Sequence, residues 1–387
     1  MLYYNPMNKF NPGLDFSIVK KISSIPIEDW DSLFGTSLIE SYGYLKTLEE
    51  GGTKEFSFGY LVGKENDRTV LILPFFVMDF SFAMLLPAAA RLGRGLKIKI
   101  LFAGSPTTEG FSMGLSPEAE LETVLGQAIK KLQEFSKTEK IAGMAFYNLS
   151  ARSLKLAEYL QRKKFIKMET LPTTTINIRA DSLEEYIRGL SRNTRKDLKK
   201  KLRRSGELAR LRTEERLDIS DIINAVYQLY LNNVGDAGVH FETLTKKFFL
   251  DICKNMPGVA KYFITYDRDK IVAFNLCLVK EGRFIDKFIG FDYGVAHKYH
   301  LYYTTFCHNI EWCIKHKLKT YQPGFSDYHP KIRLGAKLVA LDIYARAFNP
   351  VLDFIIRLIK PLIEPKKMEP IPKEIAKKGR LTAEETS

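Results

Sequence analysis

Between Phe284 and Tyr344 the sequence gathers side chains that can move protons: Asp286, Asp292, His300, Tyr303, His308 and Glu311. Asp286 stands in the middle of FIDKFIGF, a strand-like run where a charge needs a reason if both sheet faces are covered. His300 and Tyr303 are spaced i, i+3 at the start of a helical stretch, and His308 and Glu311 repeat that spacing further on. Each pair therefore shares a helix face. A carboxylate, an imidazole and a phenol within reach of one another supply a general base and a general acid. Taken singly, each also has a structural reading, as an exposed histidine or a core tyrosine with its hydroxyl satisfied. The stretch reads as a strand, an aromatic and His-rich turn (DYGVAHKYH), a helix (LYYTTFCHNIEWCIKHK), a Gly turn and a last strand (KLVALDIYA). A strand-to-helix handover is where open α/β sheets place their ligands.

A second constellation is cationic. Arg192, Arg195, Lys196, Lys199, Lys200, Lys201, Arg203 and Arg204 crowd one helical stretch, relieved only by Asp197, with Leu198 and Leu202 as its apolar stripe. So dense a charge repels itself and is stabilised by an anionic partner. A solvated face, a phosphate or anionic-lipid site, and an RNA contact all fit. Two other chemistries are disfavoured. His297, His300, His308 and His316 lack the HExxH or paired-Cys spacing of a zinc site. Cys253, Cys277, Cys307 and Cys313 form no CxxC and show no activating pattern, and read as reduced core residues of a cytosolic protein.

The elements that must hold these groups form two α/β halves. A chain of 387 residues is too long for one ordinary core, and a hydrophobic share of 45% suits a well-packed protein. The first half reads as strands DFSIVKKI, EFSFGYLVGKENDRTVLILPFF, LKIKILFAG and AGMAFYNL, with helices at PIEDWDSLF, SLIESYGYLKTLEEGG, SPEAELETVLGQAIKKLQEFSK (capped at Ser116) and ARSLKLAEYLQRKKF. The second opens on TTTINI and a helical region capped by Ser182. Two more helices follow, then a meander of AKYFITYD, KIVAFNLCLVK and FIDKFIGF. The same grammar thus occurs twice without a residue-level repeat. NPVLDFIIRLIKPLIEP reads as an apolar helix interrupted at Pro361, followed by a charged tail. The apolar run Val70–Ala90 is broken by Pro74, Asp79 and Pro87; Phe75 to Leu86 reads as an apolar loop that dips into a bilayer or covers an acyl chain. The net charge of +14 favours an anionic partner, and the first residues lack the pattern of a signal peptide.

Leu190-Ser191-Arg192-Asn193-Thr194-Arg195-Lys196 after a TTTINI-type strand, together with Gly324, Tyr328, Lys331, Gly335 and Ala336, resembles motifs of the GNAT-fold acyltransferases. The likeness is to the branch that includes the Fem-type peptidyltransferases and the acetyltransferase-like proteins of cell-envelope biosynthesis, and it runs from about Asp15 to Leu362. It implies an α/β (α+β) chain of two tandem GNAT-like lobes, each a mixed, mostly antiparallel sheet flanked by helices. The lobes would span 1–170 and 171–347, with an apolar helix and a disordered basic tail in 348–387. It implies an N-acyltransferase that moves an acyl group from acyl-CoA or an acyl carrier protein, as co-substrates and not tightly bound cofactors, to a lipid-like or envelope-precursor amine such as a long-chain base. Asp286, His300, Tyr303 and His308 would be catalytic. Asn275, Lys298, Arg195 and Lys199 would hold the donor, and Asp292, Tyr328 and Lys331 the acceptor. The Gly-rich pyrophosphate loop of the wider fold is replaced here by Val295-Ala296-His297-Lys298-Tyr299-His300. The resemblance also admits aminoacyl-tRNA as donor, although Asp218 to Met256 lacks sustained heptads. A protein without catalysis that binds an anionic membrane surface is the reading from a different class. Cytoplasmic work, peripheral on the inner face of the membrane, follows from the apolar segments and the basic run.

Overall fold

The computed structural model describes residues 13–35, 39–81, 97–236 and 242–363. The described residues divide into two compact units: those within 13–49, 54–170 and 340–363 make the first, and those within 50–53 and 171–339 the second. In chain order the strands are β1 (Leu14–Val19), β2 (Ser57–Glu65), β3 (Arg68–Ser81), β4 (Lys97–Ala103), β5 (Gly114–Leu115), β6 (Gly143–Leu149), β7 (Ile166–Glu169) and β8 (Thr173–Asn177). They continue as β9 (Leu211–Arg216), β10 (Ala260–Asp267), β11 (Lys270–Lys280), β12 (Arg283–Phe291), β13 (Thr320–Gln322), β14 (Lys337–Val339) and β15 (Asp342–Ala347).

Among the described residues, the first sheet runs β1-β2-β3-β4-β6-β15-β7, with β5 on β3. β4 and β6 pair in parallel, because the helix Leu121–Thr138 carries the chain back across the sheet between them. Its Val124, Leu125, Ala128 and Leu132 recur at helical spacing and meet Leu61, Leu71, Leu73 and Phe146 of the sheet in one core. The second sheet runs β14-β8-β13-β12-β11-β10-β9. Here the helix Leu301–Lys315 bridges β12 to the parallel strand β13, and Phe306 and Ile310 pack with Phe263, Phe284 and Tyr321. Both units therefore share one plan: an antiparallel meander, then a helix, then a parallel strand.

Several expectations are corrected. KLVALDIYA is not one strand: β14 belongs to the second sheet, whereas β15 inserts between β6 and β7 of the first. The stretch placed in a 171–347 lobe thus leaves the second unit at Val339. Phe75–Ser81 is the end of β3 and not a loop, with Phe75, Phe76, Met78 and Phe80 buried. The rest of that apolar segment lies outside the described residues, as does the tail beyond Ile363. DYGVAHKYH is no turn but a short helix, Tyr293–Tyr299. The helix expected to begin at Ser116 begins at Leu121, where the Glu120 carboxylate accepts from the amides of Glu122 (3.1 Å) and Thr123 (2.6 Å). The helix Pro350–Ile363 continues through Pro361. Ser182 does cap its helix, accepting from the Glu185 amide at 3.1 Å. Cys277, Cys307 and Cys313 are buried thiols in no disulfide.

Candidate active site

The second sheet opens at one point. β12 and β13 pair only over Arg283↔Thr320, Phe284↔Tyr321 and Ile285↔Gln322. β13 then runs into Pro323, which has no N–H to continue the ladder. β12 goes on to Phe291 along the parted edge. On its other side, Leu276 faces Phe288 but Cys277 faces Asp286, so Lys287 is an extra residue and β12 bulges there. Asp286 sits where the bulge and the split coincide.

Four side chains on three elements aim polar groups at this carboxyl. Asn275 Nδ2 of β11 donates to both oxygens, at 3.0 and 2.9 Å. Asn309 Nδ2 of the helix Leu301–Lys315 donates at 3.0 Å, and the Tyr321 hydroxyl of β13 at 3.0 Å. The Cys277 thiol lies at 3.8 Å. Asp286 is deep-set, yet part of its surface stays open to solvent, as the mouth of a splayed sheet allows. Burial pushes its pKa above the usual carboxylate range, against the pull of Asn275, Tyr321 and the Lys331 charge. Beside it, the Tyr302 hydroxyl and Asn309 Oδ1 are buried without a hydrogen-bond partner. Each such atom costs about 1–3 kcal/mol if left unmet, which marks the spot as one where a ligand group or water belongs. Burial first, then the charges of Asp327 and Asp286, raise the Tyr302 pKa, so the phenol keeps its proton as a donor.

Most of the remaining expected residues lie apart from this centre. Lys331 is 5% exposed, and its ammonium donates to the carbonyls of Gly324 (3.3 Å) and Phe325 (2.5 Å). It locks a loop in which Gly324, Ser326 and Asp327 all have positive φ, and its charge favours the ionised form of Asp286. Tyr328 is buried, its hydroxyl on the Pro172 carbonyl at 2.8 Å. Asp292 caps the helix Tyr293–Tyr299 by accepting from Gly294 N at 3.0 Å, and pairs with Lys270 at 2.6 Å. His308 packs edge-on against Phe263 at 5.1 Å, its Nε2 buried and unpartnered, while burial lowers its pKa. Both Tyr328 and Asp292 thus spend on the fold the groups expected to meet the acceptor.

His300, Tyr303 and the cationic stretch form a second group. His300 takes the left-handed conformation (φ 52°, ψ 41°) between the helices Tyr293–Tyr299 and Leu301–Lys315, and its side chain does not cap the second. Partial burial, then the charges of Lys201 and Arg204, lower its pKa and keep the imidazole neutral. Lys201 Nζ lies 3.8 Å from the Tyr303 ring centroid and pairs with Asp197 at 2.8 Å; Arg333 reaches the same carboxylate at 3.1 Å. These contacts seat the helix Arg192–Leu208, capped by Ser191, with Thr194, Leu198 and Ser205 inward. Its other flank exposes Arg192, Lys196, Lys199, Lys200, Arg203 and Arg204. Of these, Arg203 alone makes an ion pair among the described residues, at 3.5 Å with Glu207. Arg195 turns back to the Arg188 carbonyl at 2.9 Å, and Lys298 is exposed near the Tyr299 ring.

No curated protein matches the sequence. The fold is similar to that of FemX, with TM-score 0.53 and 12% identity over 87% of this chain and 98% of that one. A tandem GNAT protein from the clavulanic acid biosynthesis pathway gives TM-score 0.54 and 10% identity, over 87% and 99% of the two chains. A C-terminal domain assigned to a lysylphosphatidylglycerol synthetase of Agrobacterium fabrum gives 0.52 and 11%, over 85% and 96%. The two mixed sheets flanked by helices are thus tandem GNAT-like lobes. The family described as peptidoglycan biosynthesis/recognition matches residues 21–340, and the chain belongs to this FemAB-like family of transferases.

Proposed function

We propose that the protein transfers an aminoacyl or acyl group to the amine of a cell-envelope precursor, with aminoacyl-tRNA as the donor. The exposed cationic ridge of the helix Arg192–Leu208, where Arg203 alone forms an ion pair among the described residues, carries this reading, since a polynucleotide can run phosphates along the whole row whereas the few phosphates of CoA meet only part of it. In the proposed step the free amine attacks the ester carbonyl carbon. The C–N bond forms, the neutral His300 takes the proton that the attacking nitrogen sheds and hands that same proton to the ribose oxygen as the C–O bond breaks, so the imidazole ends neutral. Tyr302 donates to the oxyanion at the split between β12 and β13, where its hydroxyl otherwise has no partner. Asp286 is a positioning residue that fixes bulge, helix and β13 around that point.

Two expected results test this. Lys196→Glu/Lys199→Glu/Arg203→Glu should raise the donor KM about tenfold or more and flatten its salt dependence. The melting temperature should hold, because surface changes cost about 0.5 kcal/mol or less each. Ribonuclease should abolish turnover; turnover that survives it with a thioester donor would sink the tRNA reading. Tyr302→Phe should lose about 100-fold in kcat while keeping or gaining stability, because it deletes an unsatisfied hydroxyl. An unchanged kcat would remove Tyr302 from the site.

The second reading keeps acyl-CoA or an acyl carrier protein as donor and a long-chain amine as acceptor. It is favoured by the likeness to the tandem GNAT protein, whose structure is described as lacking AcCoA. Long-chain acyl-CoA consumed only when a long-chain amine is present would select it.

A further inference from the structure

The helix Pro350–Ile363 presents a face that the first unit does not use. Val351, Phe354, Ile355, Leu358 and Leu362 fall on one side at helical spacing, between 45% (Ile355) and 71% (Leu358) exposed. Leu352, Ile356 and Ile359, on the opposite side, are half-buried. One helix face made only of large apolar side chains, all of them exposed, is the pattern of a helix that lies in an interface.

Charge beside the stripe says what covers it. Arg357 pairs with Asp353 at 2.8 Å and also donates to the Lys164 carbonyl, while Arg346 Nη1 donates to the Lys163 carbonyl at 3.5 Å. The Arg357 bond to the Lys164 carbonyl holds the helix against the turn that carries the exposed Lys163 and Lys164, while Arg346 ties the adjacent β15 to the same turn. Cations along the edge of an apolar face fit an anionic interface, where headgroups meet acyl chains. Size argues the same way. The helix is about 21 Å long and about 10 Å wide, a footprint of about 200 Å², against the roughly 800 Å² per partner that a stable dimer buries. No helix among the described residues is long and apolar enough to cross a bilayer, so this one would lie in the interface plane.

We propose that the helix Pro350–Ile363 is an in-plane anchor for an anionic lipid surface, with Phe354 and Leu358 among the acyl chains and Lys163 and Lys164 at the headgroups. The anchor deepens the envelope-precursor reading by bringing the site to a membrane-borne acceptor. It is scored without turnover, so either proposal can fail while the other stands.

The test is co-sedimentation of the full chain with vesicles of phosphatidylcholine alone or mixed with phosphatidylglycerol. The expected result is recovery with the mixed vesicles only. Phe354→Ser/Leu358→Ser should weaken it at least about tenfold with an unchanged melting curve, because both side chains are exposed. Lys163→Glu/Lys164→Glu should weaken it as well. Equal binding of the serine variant, or of neutral vesicles, overturns the proposal. So does light scattering that finds a dimer broken by the same serine substitutions, with no vesicle binding.

Discussion

Asp286→Asn should cost about 100-fold or more in kcat and about 1–3 kcal/mol in stability, with the fold retained. The carboxyl accepts from Asn275, Asn309 and Tyr321, all donors. An asparagine offers one accepting oxygen and one NH2, so its own donor faces another donor and one buried group loses its partner. The loss reaches activity because these bonds tie β11, β13 and the helix Leu301–Lys315 to the bulge where the sheet parts. The pH dependence has a definite sign. Burial raises the folded-state pKa of Asp286, so between the ordinary carboxylate range and the raised value the native state binds more protons than the unfolded chain. Stability contributed by this group is therefore complete below the ordinary carboxylate pKa and is lost as pH rises through the raised one. Melting curves of parent and variant across mildly acidic to neutral pH should converge as pH rises, since only the parent carries this term. Parallel curves would show that Asp286 is not held as described, and wild-type kcat in the variant would remove it from the mechanism.

The sequence exposed Asp286 because a charge inside FIDKFIGF breaks a strand's apolar run, and it exposed Asn275 on the neighbouring strand. It could not expose Asn309 and Tyr321, which reach the carboxyl from a helix and a parallel strand whose approach is tertiary. The bulge at Lys287 is equally hidden, since register belongs to the pairing and not to the strand. The i, i+3 spacing from His300 singles out Tyr303, but neighbouring positions point about 100° apart on a helix. The inward row is Tyr302, Phe306, Asn309 and Cys313, at i, i+4, i+7 and i+11, and reading that row would have found Tyr302. The break inside KLVALDIYA had no Gly or Pro to announce it. The basic helix is legible throughout, because cations at nearly every outward position from Arg192 to Arg204 have no competing structural use. Its inward contacts through Asp197 and Lys201 emerged only from the packing of Tyr303 and Arg333.

Gly290→Ala should destabilise the protein by about 3 kcal/mol, the upper part of the range for overpacking. Gly290 lies on the stretch of β12 beyond the split. An added Cβ would come 2.4 Å from Phe274 Cε1 and 2.6 Å from the Leu229 carbonyl oxygen. The ring cannot swing away easily, because Phe274 is fully buried and packs edge-on against Phe249 at 6.0 Å. The carbonyl cannot give at all without moving the helix Ile223–Asp236. That helix also holds the end of β12 through Asn232, whose Nδ2 donates to the Phe291 carbonyl at 3.3 Å. The methyl must therefore lift the helix or bend the strand that forms one wall of the site. For a unit of this size the melting temperature should fall by about 6–12 °C, and kcat should fall with it. Gly206→Ala supplies the contrast. Gly206 is exposed in the helix Arg192–Leu208 and its added Cβ meets nothing within 4 Å. That substitution should be neutral or stabilise by up to about 1 kcal/mol, through helix propensity. If the two alanine variants melt together, the helix is not seated on β12, and the parted edge of the sheet has some other support.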